Sequence, residues 1–333
     1  MKRFISWVMV ATGFLGMLVL SSPAEAQKLR IGAHRALMGS FEVIAHRKGY
    51  WTEEGLEYTF QYFKQGKLMR NAIIQGNLDT GTTGFSPFTT AISKGAQVTA
   101  IGVTANICDI VHIVLPVDSK LKSPKEFKGK IFANKKGTST DFAFQTYILP
   151  RYGLKSEDVQ LLSVNATDRI AALVSGSAEA AMVGDPQFEI ALQKGLIREL
   201  ETLCQYDKTS MMHIGNPNTL KEHPELYEKY FKGWLKAHKL LQEDPEQYAK
   251  VYTEALQEVG DKAEYQVILP VIKRLRSELF ISDEVKAYLN DMAEKQAQLG
   301  WIKSHPDFTK SDVLDDSILR KVAREAGWTV PTN

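Results

Sequence analysis

The sequence predicts an α/β protein with mostly parallel sheets, and three observations support this fold class. From residue 28 onwards, short apolar strands alternate with helices of about three turns, as βαβ units do. Several of the helices carry clear start and stop signals. Two segments about a hundred residues apart also share one layout, which indicates two similar lobes rather than one continuous sheet.

The strand predictions rest on short apolar runs that are bounded by Gly, Asn or Asp. The ten predicted strands cover residues 29–33, 56–63, 80–83, 98–103, 110–115, 131–133, 161–164, 180–183, 197–203 and 211–214. Two helices between them begin with a capping residue followed by proline, at Ser86-Pro87 and Asp185-Pro186. Each of these helices is predicted to end at a glycine, Gly95 or Gly195.

These two helices belong to the pair of matching segments. In the first segment, residues 84–95, a strand is followed by Gly-x-x-Pro-Phe and by a helix that ends at Lys-Gly. The second segment, residues 184–195, has Gly-x-Pro-x-Phe in the same place and its helix also ends at Lys-Gly. We expect each segment to occupy the same place in its own lobe.

After residue 216 the alternation stops and the chain becomes almost entirely helical. Amphipathic periodicity predicts helices over residues 219–242, 245–258, 262–279, 283–299 and 311–325. Because no Pro/Ser-rich linker precedes this region, we expect the helices to pack on the α/β body as a scaffold.

The first 26 residues have the order of a secretory signal peptide. Lys2 and Arg3 precede an apolar run over residues 4–20, and Ala24-Glu25-Ala26 provides an A-x-A cleavage site. We expect cleavage before Gln27, which leaves 307 of the 333 residues (333 − 26). The alternative, an uncleaved membrane anchor, needs a longer apolar run than this one.

Composition excludes several classes of protein. The chain is 44% hydrophobic and 24% charged, which is incompatible with a disordered or collagen-like protein. Its 41 basic and 39 acidic residues give a net charge of +2, so no electrostatic signature of a nucleic-acid binder is present. Two cysteines, Cys108 and Cys204, and seven scattered histidines lack the spacing of a structural metal site.

The candidate binding residues follow the strands, because ligands of open α/β sheets lie at the carboxyl ends of the strands beside helix N-termini. These candidates are Arg35, Ser40, Phe85, Ser86, Thr138, Ser139, Thr140, Asn165 and Asp185. Ser86 and Asp185 also have a purely structural interpretation as helix caps. Asp141 and Asp185 would suit an amine instead, so the sign of the ligand's charge stays open.

The segment Gly137-Thr138-Ser139-Thr140 is the sharpest candidate for an anion site. Its glycine lets the backbone approach a ligand, and its hydroxyls can bind an oxyanion, although an ordinary N-cap has the same sequence. The chain has no P-loop, no G-x-G-x-x-G, no G-x-S-x-G and no H-E-x-x-H. We therefore predict no cofactor, no bound metal and no catalytic residue.

Residues 45–56 resemble the opening of one family of transport proteins. Gly49-Tyr50-Trp51 and Glu54-Gly55-Leu56 match its G-x-[FW] and E-G-L elements. Further matches follow in the family's order, at Gln75-Gly76-Asn77-Leu78-Asp79, Gly84, Gly95-Ala96-Gln97-Val98, Phe127-Lys128-Gly129-Lys130, Gly137-Thr138-Ser139, Tyr152-Gly153-Leu154 and Gly176-Ser177-Ala178-Glu179-Ala180. The chain thus resembles solute-binding proteins of ABC importers for aliphatic sulfonates, taurine and nitrate, in a superfamily that also binds thiamine pyrimidine precursors.

This resemblance implies a type II periplasmic-binding-protein fold, in which two α/β lobes are joined by two crossover strands and close on a ligand. Residues 28–109 and 215–333 would form the first lobe, with the helical C-terminal region packed on it, and residues 110–214 the second. Cys108 and Cys204 would then flank the crossovers at opposite ends, so we expect two free thiols.

The resemblance also implies a function. The chain would be a periplasmic, monomeric receptor that binds a small polar, anionic organic molecule by hinge closure and delivers it to an ABC permease and ATPase. The alternatives are an enzyme or binder for a pyrimidine precursor on the same fold, and a ligand sensor. The first loop, residues 34–38, departs from the sulfonate binders, so the ligand itself cannot be transferred from them.

Overall fold

The structure is a computed structural model that describes residues 27–260, 263–309 and 312–332. The predicted signal peptide, residues 1–26, lies outside the described residues. Among the helices of the described part, none combines the length and the apolar character that crossing a membrane requires.

All ten predicted strands are present, and their ends differ from the predicted ones by up to three residues. They are β1 Leu29–His34, β2 Tyr58–Phe63, β3 Thr80–Gly84, β4 Thr99–Asn106, β5 Val111–Pro116, β6 Ile131–Asn134, β7 Gln160–Ser163, β8 Ala180–Gly184, β9 Ile197–Thr202 and β10 Ser210–Gly215. An eleventh strand, β11 Arg276–Ser277, lies where the sequence predicted a helix. The helix ends at Arg274 because Leu275 is extended, and the next two residues pair with β4.

Helices fill most of the remaining chain. They are α1 Ser40–Arg47, α2 Tyr50–Glu53, α3 Gly66–Ile74, α4 Phe85–Ile92, α5 Ser139–Ala143, α6 Leu149–Arg151, α7 Arg169–Val174, α8 Gln187–Gln193, α9 Pro217–Glu222, α10 Pro224–Glu243, α11 Pro245–Glu258, α12 Tyr265–Arg274, α13 Asp283–Gln298 and α14 Ser317–Glu325. The predicted helix over 219–242 is in fact two helices. His223 is non-helical before Pro224, a residue that favours a helix start, and Asn216 caps α9, three residues before the predicted start at residue 219.

The strands form two sheets with the same internal order. The first sheet runs β11-β4-β10-β3-β1-β2, and the second runs β7-β6-β8-β5-β9. Without β11, each sheet has a parallel core of three strands, followed by one antiparallel strand and a further neighbour. Each sheet is therefore mixed, with four strands that run in one direction and one, β10 or β5, that runs against them. The antiparallel strands, β10 and β5, each follow a passage of the chain from one sheet to the other.

The matching segments of the sequence occupy equivalent places in these sheets. One is β3 with α4, and the other is β8 with α8. We call the elements around the first sheet the first lobe and those around the second sheet the second lobe. The chain passes between the sheets over residues 107–110 and 203–209. The lobe boundaries at 109 and 214 stay a prediction, and β10 already pairs with the first sheet from Ser210.

The helical C-terminal region packs on the first lobe through aromatic side chains. The Trp51 indole donates a hydrogen bond to the Tyr230 carbonyl of α10 at 2.9 Å, and the ring of Phe41 stacks on His238 with centroids 3.6 Å apart. These rings are fully buried, so α10 forms part of the hydrophobic core of the first lobe.

Cys108 and Cys204 form a disulfide, so the expectation of two free thiols was wrong. Cys108 lies just before β5, and Cys204 lies just after β9. These two strands are antiparallel neighbours, with His112 opposite Thr202, so the start of one lies beside the end of the other. The bond therefore ties together the two passages between the lobes.

Removal of this disulfide should lower the stability of the protein. The bond closes a loop with a sequence separation of 96 residues, and cross-links of this kind typically stabilise proteins by about 2–5 kcal/mol. We expect Cys108→Ser/Cys204→Ser to unfold at lower urea concentration and lower temperature than the oxidised native protein. As a control, the protein with both cysteines is denatured without reduction and titrated with a thiol reagent. Two reactive thiols would contradict the bond.

Candidate functional site

The two lobes meet where α4 and α5 begin, at the carboxyl ends of β3 and β6. Gly84 is the N-cap of α4, and a Cβ atom added to it would lie 2.4 Å from the Ser139 hydroxyl oxygen of the second lobe. A Cβ atom at that distance would displace the Ser139 hydroxyl from its observed position, so glycine permits the observed approach. We call this contact between the first residues of α4 and α5 the seam.

Ser139 is the residue of the seam that has hydrogen-bonding capacity to spare. It is only 7% exposed, and its hydroxyl has no hydrogen-bond partner among the described residues. A buried polar group without a partner is unfavourable, and such groups concentrate where a ligand or water binds.

The neighbouring hydroxyls of the predicted anion segment are already used within the protein. Thr138 caps α5, because its side chain accepts a hydrogen bond from the Asp141 amide at 3.3 Å. It also donates to the Lys135 carbonyl at 2.7 Å. Thr140 donates to the Asn134 side chain at 3.0 Å. Of the three predicted hydroxyls, only that of Ser139 is left for a ligand.

Asp141 is fully buried and closes the turn in front of α5. One carboxylate oxygen accepts from the Gly137 amide at 2.8 Å, and the other accepts from the Gln145 side chain at 2.9 Å. Burial raises the pKa of Asp141, although these hydrogen bonds oppose the shift. Since both oxygens have donors within the protein, the structure gives Asp141 a structural role rather than that of an amine receptor.

Phe85 and Ser86 form the first turn of α4. The helix begins at Phe85, so Ser86 lies inside the helix. The interpretation of Ser86 as the helix cap was therefore wrong. The Ser86 hydroxyl accepts a hydrogen bond from the Gln296 side chain at 2.8 Å. Phe85 is buried with its ring 5.8 Å from that of Tyr288. Both residues thus lie at the seam and are held by α13.

Two other predicted contacts are directed towards α11. Ser40 is fully buried and accepts a hydrogen bond from the Tyr248 hydroxyl at 2.8 Å. Arg35 donates to the Val259 carbonyl at 2.8 Å. Their roles as ligand contacts stay predictions. Asn165 lies at the mouth of the cleft, where its side chain accepts from Gln65 of the first lobe at 3.3 Å.

Asp185 is the centre of an ionic contact between the lobes. Its carboxylate accepts from the Arg274 guanidinium at 2.9 Å, and Arg274 also pairs with Glu189 at 2.9 Å. Asp185 does not cap α8, which begins two residues later with no side-chain cap. We call Arg274, Asp185 and Glu189 the Arg274 bridge. Because Arg274 ends α12 in the first lobe, the bridge fastens that helix to the second lobe.

His112 lies beneath the Arg274 bridge. Its ring stacks on Phe188 at 3.6 Å, one nitrogen lies 2.7 Å from Glu199, and the other lies 3.5 Å from Asp185. Burial alone would lower the pKa of His112, but the hydrogen bonds and charges of the two carboxylates outweigh burial and raise it. The imidazolium therefore belongs to the same ionic cluster.

Helix α13 makes two further hydrogen bonds to the second lobe and its connection. The Tyr147 hydroxyl donates to Asp291 at 3.0 Å, and the Tyr288 hydroxyl donates to Asp207 at 2.6 Å. From the sequence, the helical region that contains α13 was expected to act only as a scaffold. One sequence signal indicated that the helical C-terminal region contacts the second lobe. It is the cluster of basic residues at a helix end, Lys273, Arg274 and Arg276.

Among the described residues, one group of side chains has the spacing to hold a metal ion. It consists of Cys108, Asp109 and Cys204. Its two sulfurs are joined in the disulfide, so they provide no thiolate ligand.

Comparisons with known proteins agree with this architecture. The family model described as NMT1/THI5 like matches residues 40–248. A protein of Escherichia coli strain K12, named as an aliphatic sulfonates-binding protein, is 24% identical over 214 residues, which is 64% of this chain and 67% of that protein.

Solved structures with the same fold cover most of the chain. The alkanesulfonate-binding protein of Xanthomonas axonopodis pv. citri, bound to MOPS, superimposes with a TM-score of 0.76 at 19% identity and covers 87% of this chain and 99% of its own. The periplasmic nitrate-binding protein of Synechocystis PCC 6803 gives a TM-score of 0.73 at 14% identity, with coverages of 90% and 89%. These likenesses confirm the fold predicted from the sequence.

Loss of the Arg274 bridge should destabilise the protein more than loss of a neighbouring surface pair. Arg274→Gln leaves the buried Asp185 carboxylate with His112 as its remaining cationic neighbour, and loss of one partner costs several kcal/mol in a fully buried pair. Since the Arg274 side chain is 32% exposed, we expect about 2 kcal/mol, measured by urea unfolding. Arg276→Gln is the control, because its pair with Asp109 is exposed and should contribute little. Equal effects of the two substitutions would contradict the assignment.

The contribution of His112 to stability should depend on pH. Its folded pKa lies above the unfolded value of 6.5, so protonated His112 stabilises the fold fully below that pH. The contribution is lost as pH rises through the folded pKa. We therefore expect the difference in unfolding free energy between the native protein and His112→Gln to shrink as pH rises above 6.5. A difference that grows with pH would show that the pKa is lowered instead.

Proposed function

The chain belongs to the NMT1/THI5-like family, and from this premise we propose that it is an extracytoplasmic receptor for a small organic anion. In this proposal the ligand binds at the seam, and the two lobes close over it by a hinge motion. We take the lobes to be residues 28–109 with 215–333, and residues 110–214, as the sequence predicted. No bond of the ligand is made or broken.

The observation that carries the proposal is the unpartnered hydroxyl of Ser139 at the seam. It lies beside Gly84 at the start of α4, where the first helical N–H groups lack intrahelical partners and the helix dipole is positive. A hydroxyl donor and a helix N-terminus together favour an oxyanion, such as a sulfonate or carboxylate. The relatives named for sulfonates and nitrate support the same class of ligand.

Hinge closure provides the mechanism of capture. Seam contacts form only when the lobes meet, so a ligand that bridges them binds the closed form more tightly and shifts the population towards it. The hydrogen bonds of α13 and the Arg274 bridge would also hold the closed form. We propose further that the chain is a monomer, is secreted through its cleaved signal peptide, and delivers the ligand to an ABC permease and ATPase.

A thermal-shift screen of residues 27–333 tests the ligand class. Alkanesulfonates, taurine, nitrate, aromatic carboxylates and pyrimidines would be compared at equal ionic strength, because a ligand of the native state raises the melting temperature. We expect an organic anion to stabilise the protein most. Stabilisation by neutral pyrimidines alone would overturn the anion proposal, and consumption of a confirmed ligand over time would indicate an enzyme.

Ser139→Ala then tests the site with the best anion from the screen. Because the hydroxyl has no partner in the part of the chain that the structure describes, its loss should leave the stability almost unchanged. The loss of a hydrogen bond to a charged ligand should weaken binding by roughly ten- to a hundredfold in isothermal titration calorimetry.

Thr138→Ala is the matched control for this substitution. It removes the cap of α5 and should lower the unfolding free energy by about 1 kcal/mol. Its effect on affinity should be smaller than that of Ser139→Ala. If Ser139→Ala binds the anion as the native protein does, the ligand does not contact the seam.

A further inference from the structure

We infer that the chain has a second anion-binding site, next to the seam and lined by other side chains, which takes a small, doubly charged oxyanion. The site is a cavity of about 250 Å³ at the rim of the cleft. We call it the rim pocket and define it by Lys67, Arg70, Lys94, Lys136 and Trp301. Its other walls are provided mainly by α4.

The first argument is the charge of the rim pocket. Four of its lining side chains are cationic, and no Asp or Glu lines it. Lys67, Lys94 and Lys136 form no ion pair with any described residue, whereas many other lysines of the chain do. The Asp141 carboxylate, which accepts from the Gly137 amide, interacts with Lys136 but does not line the cavity. Four cations that converge on one cavity outnumber this single carboxylate and produce a positive potential, which attracts an anion.

The second argument is the burial of Arg70. Its residue is only 8% exposed, yet its guanidinium donates only to neutral groups, the Asn71 side chain and the Pro87 carbonyl. Burial lowers the pKa of Arg70, since no carboxylate compensates the charge. Buried charges in proteins are normally paired, and an anion in the rim pocket would provide the missing partner.

The third argument is that the rim pocket is assembled from both lobes. Lys67 and Arg70 lie on α3, and Lys94 follows α4, all in the first lobe. Lys136 lies in the turn after β6, in the second lobe. Closure therefore brings Lys136 towards three like charges, which opposes closure. An anion between them offsets this repulsion and binds the closed form preferentially.

The occupant follows from these features. A doubly charged tetrahedral oxyanion of the sulfate type suits several convergent cations better than a monovalent anion does. Inorganic sulfate is therefore the probe. It would be titrated into residues 27–333 by isothermal titration calorimetry, with sodium chloride used to hold the ionic strength constant.

The lysine variants give the expected result. Lys67 and Lys94 are exposed, so Lys67→Gln/Lys94→Gln should fold normally and bind sulfate roughly tenfold more weakly. Lys136→Gln should also weaken the binding of sulfate, because the second lobe contributes to the site. Lys48→Gln/Lys125→Gln is the matched control, since it removes the same charge from exposed lysines outside the pocket and should bind sulfate like the native protein.

Each other outcome overturns the inference in a defined way. If the control variant Lys48→Gln/Lys125→Gln also binds sulfate more weakly, the change in affinity reflects net charge only. An unchanged affinity of Lys136→Gln would overturn the two-lobe site that we infer, because sulfate would then bind to the first lobe alone. If Ser139→Ala loses sulfate while the Lys67→Gln/Lys94→Gln variant keeps it, sulfate binds at the seam, which would refute the rim pocket but support the proposed function.

Discussion

The close approach of Gly84 to Ser139 is the constraint on which the rest of the site depends. Two helices can present their N-termini to one small ligand only if nothing lies between them, and a glycine at the end of β3 makes this possible. Both helices are held from behind: α4 by Gln296 of α13, and the start of α5 by the Thr138 cap and the Asp141 carboxylate. The other hydroxyls named at the seam take part in these supports or in neighbouring hydrogen bonds, whereas the Ser139 hydroxyl has no partner among the described residues.

Charge is distributed unevenly over the interface between the lobes. On one side, Arg274 meets Asp185 and Glu189, so closure joins opposite charges. At the rim, Lys136 approaches Lys67 and Arg70, so closure joins like charges. Attraction at the Arg274 bridge thus favours the closed form, and repulsion at the rim pocket opposes it. An anion stabilises the closed form by removing the repulsion at the rim pocket. The near-neutral total charge of the chain conceals this arrangement entirely.

The parts of the fold that local sequence determines were predictable, and the parts that depend on distant pairs were not. Strands, the Thr138 cap and the repeated βα layout follow from patterns within about twenty residues. The Arg274 bridge joins residues 85 to 89 positions apart, and no local pattern reveals such a pair. The disulfide was missed because the sequence did not show that β5 and β9 are neighbours. Ser86 was taken for a cap because Ser-Pro is typical of helix starts, whereas Gly84 holds that position here.

The interleaving of the two sheets has a consequence for how the chain acquires its structure. Every strand of the second sheet comes from one continuous stretch, residues 111–202, whereas the first sheet needs strands from both ends of the chain. As the polypeptide emerges from its amino end, the second lobe can therefore be completed, and its loop sealed by the disulfide, before β10 is available to finish the first. The lobe that comes second in the sequence is the one able to assemble first.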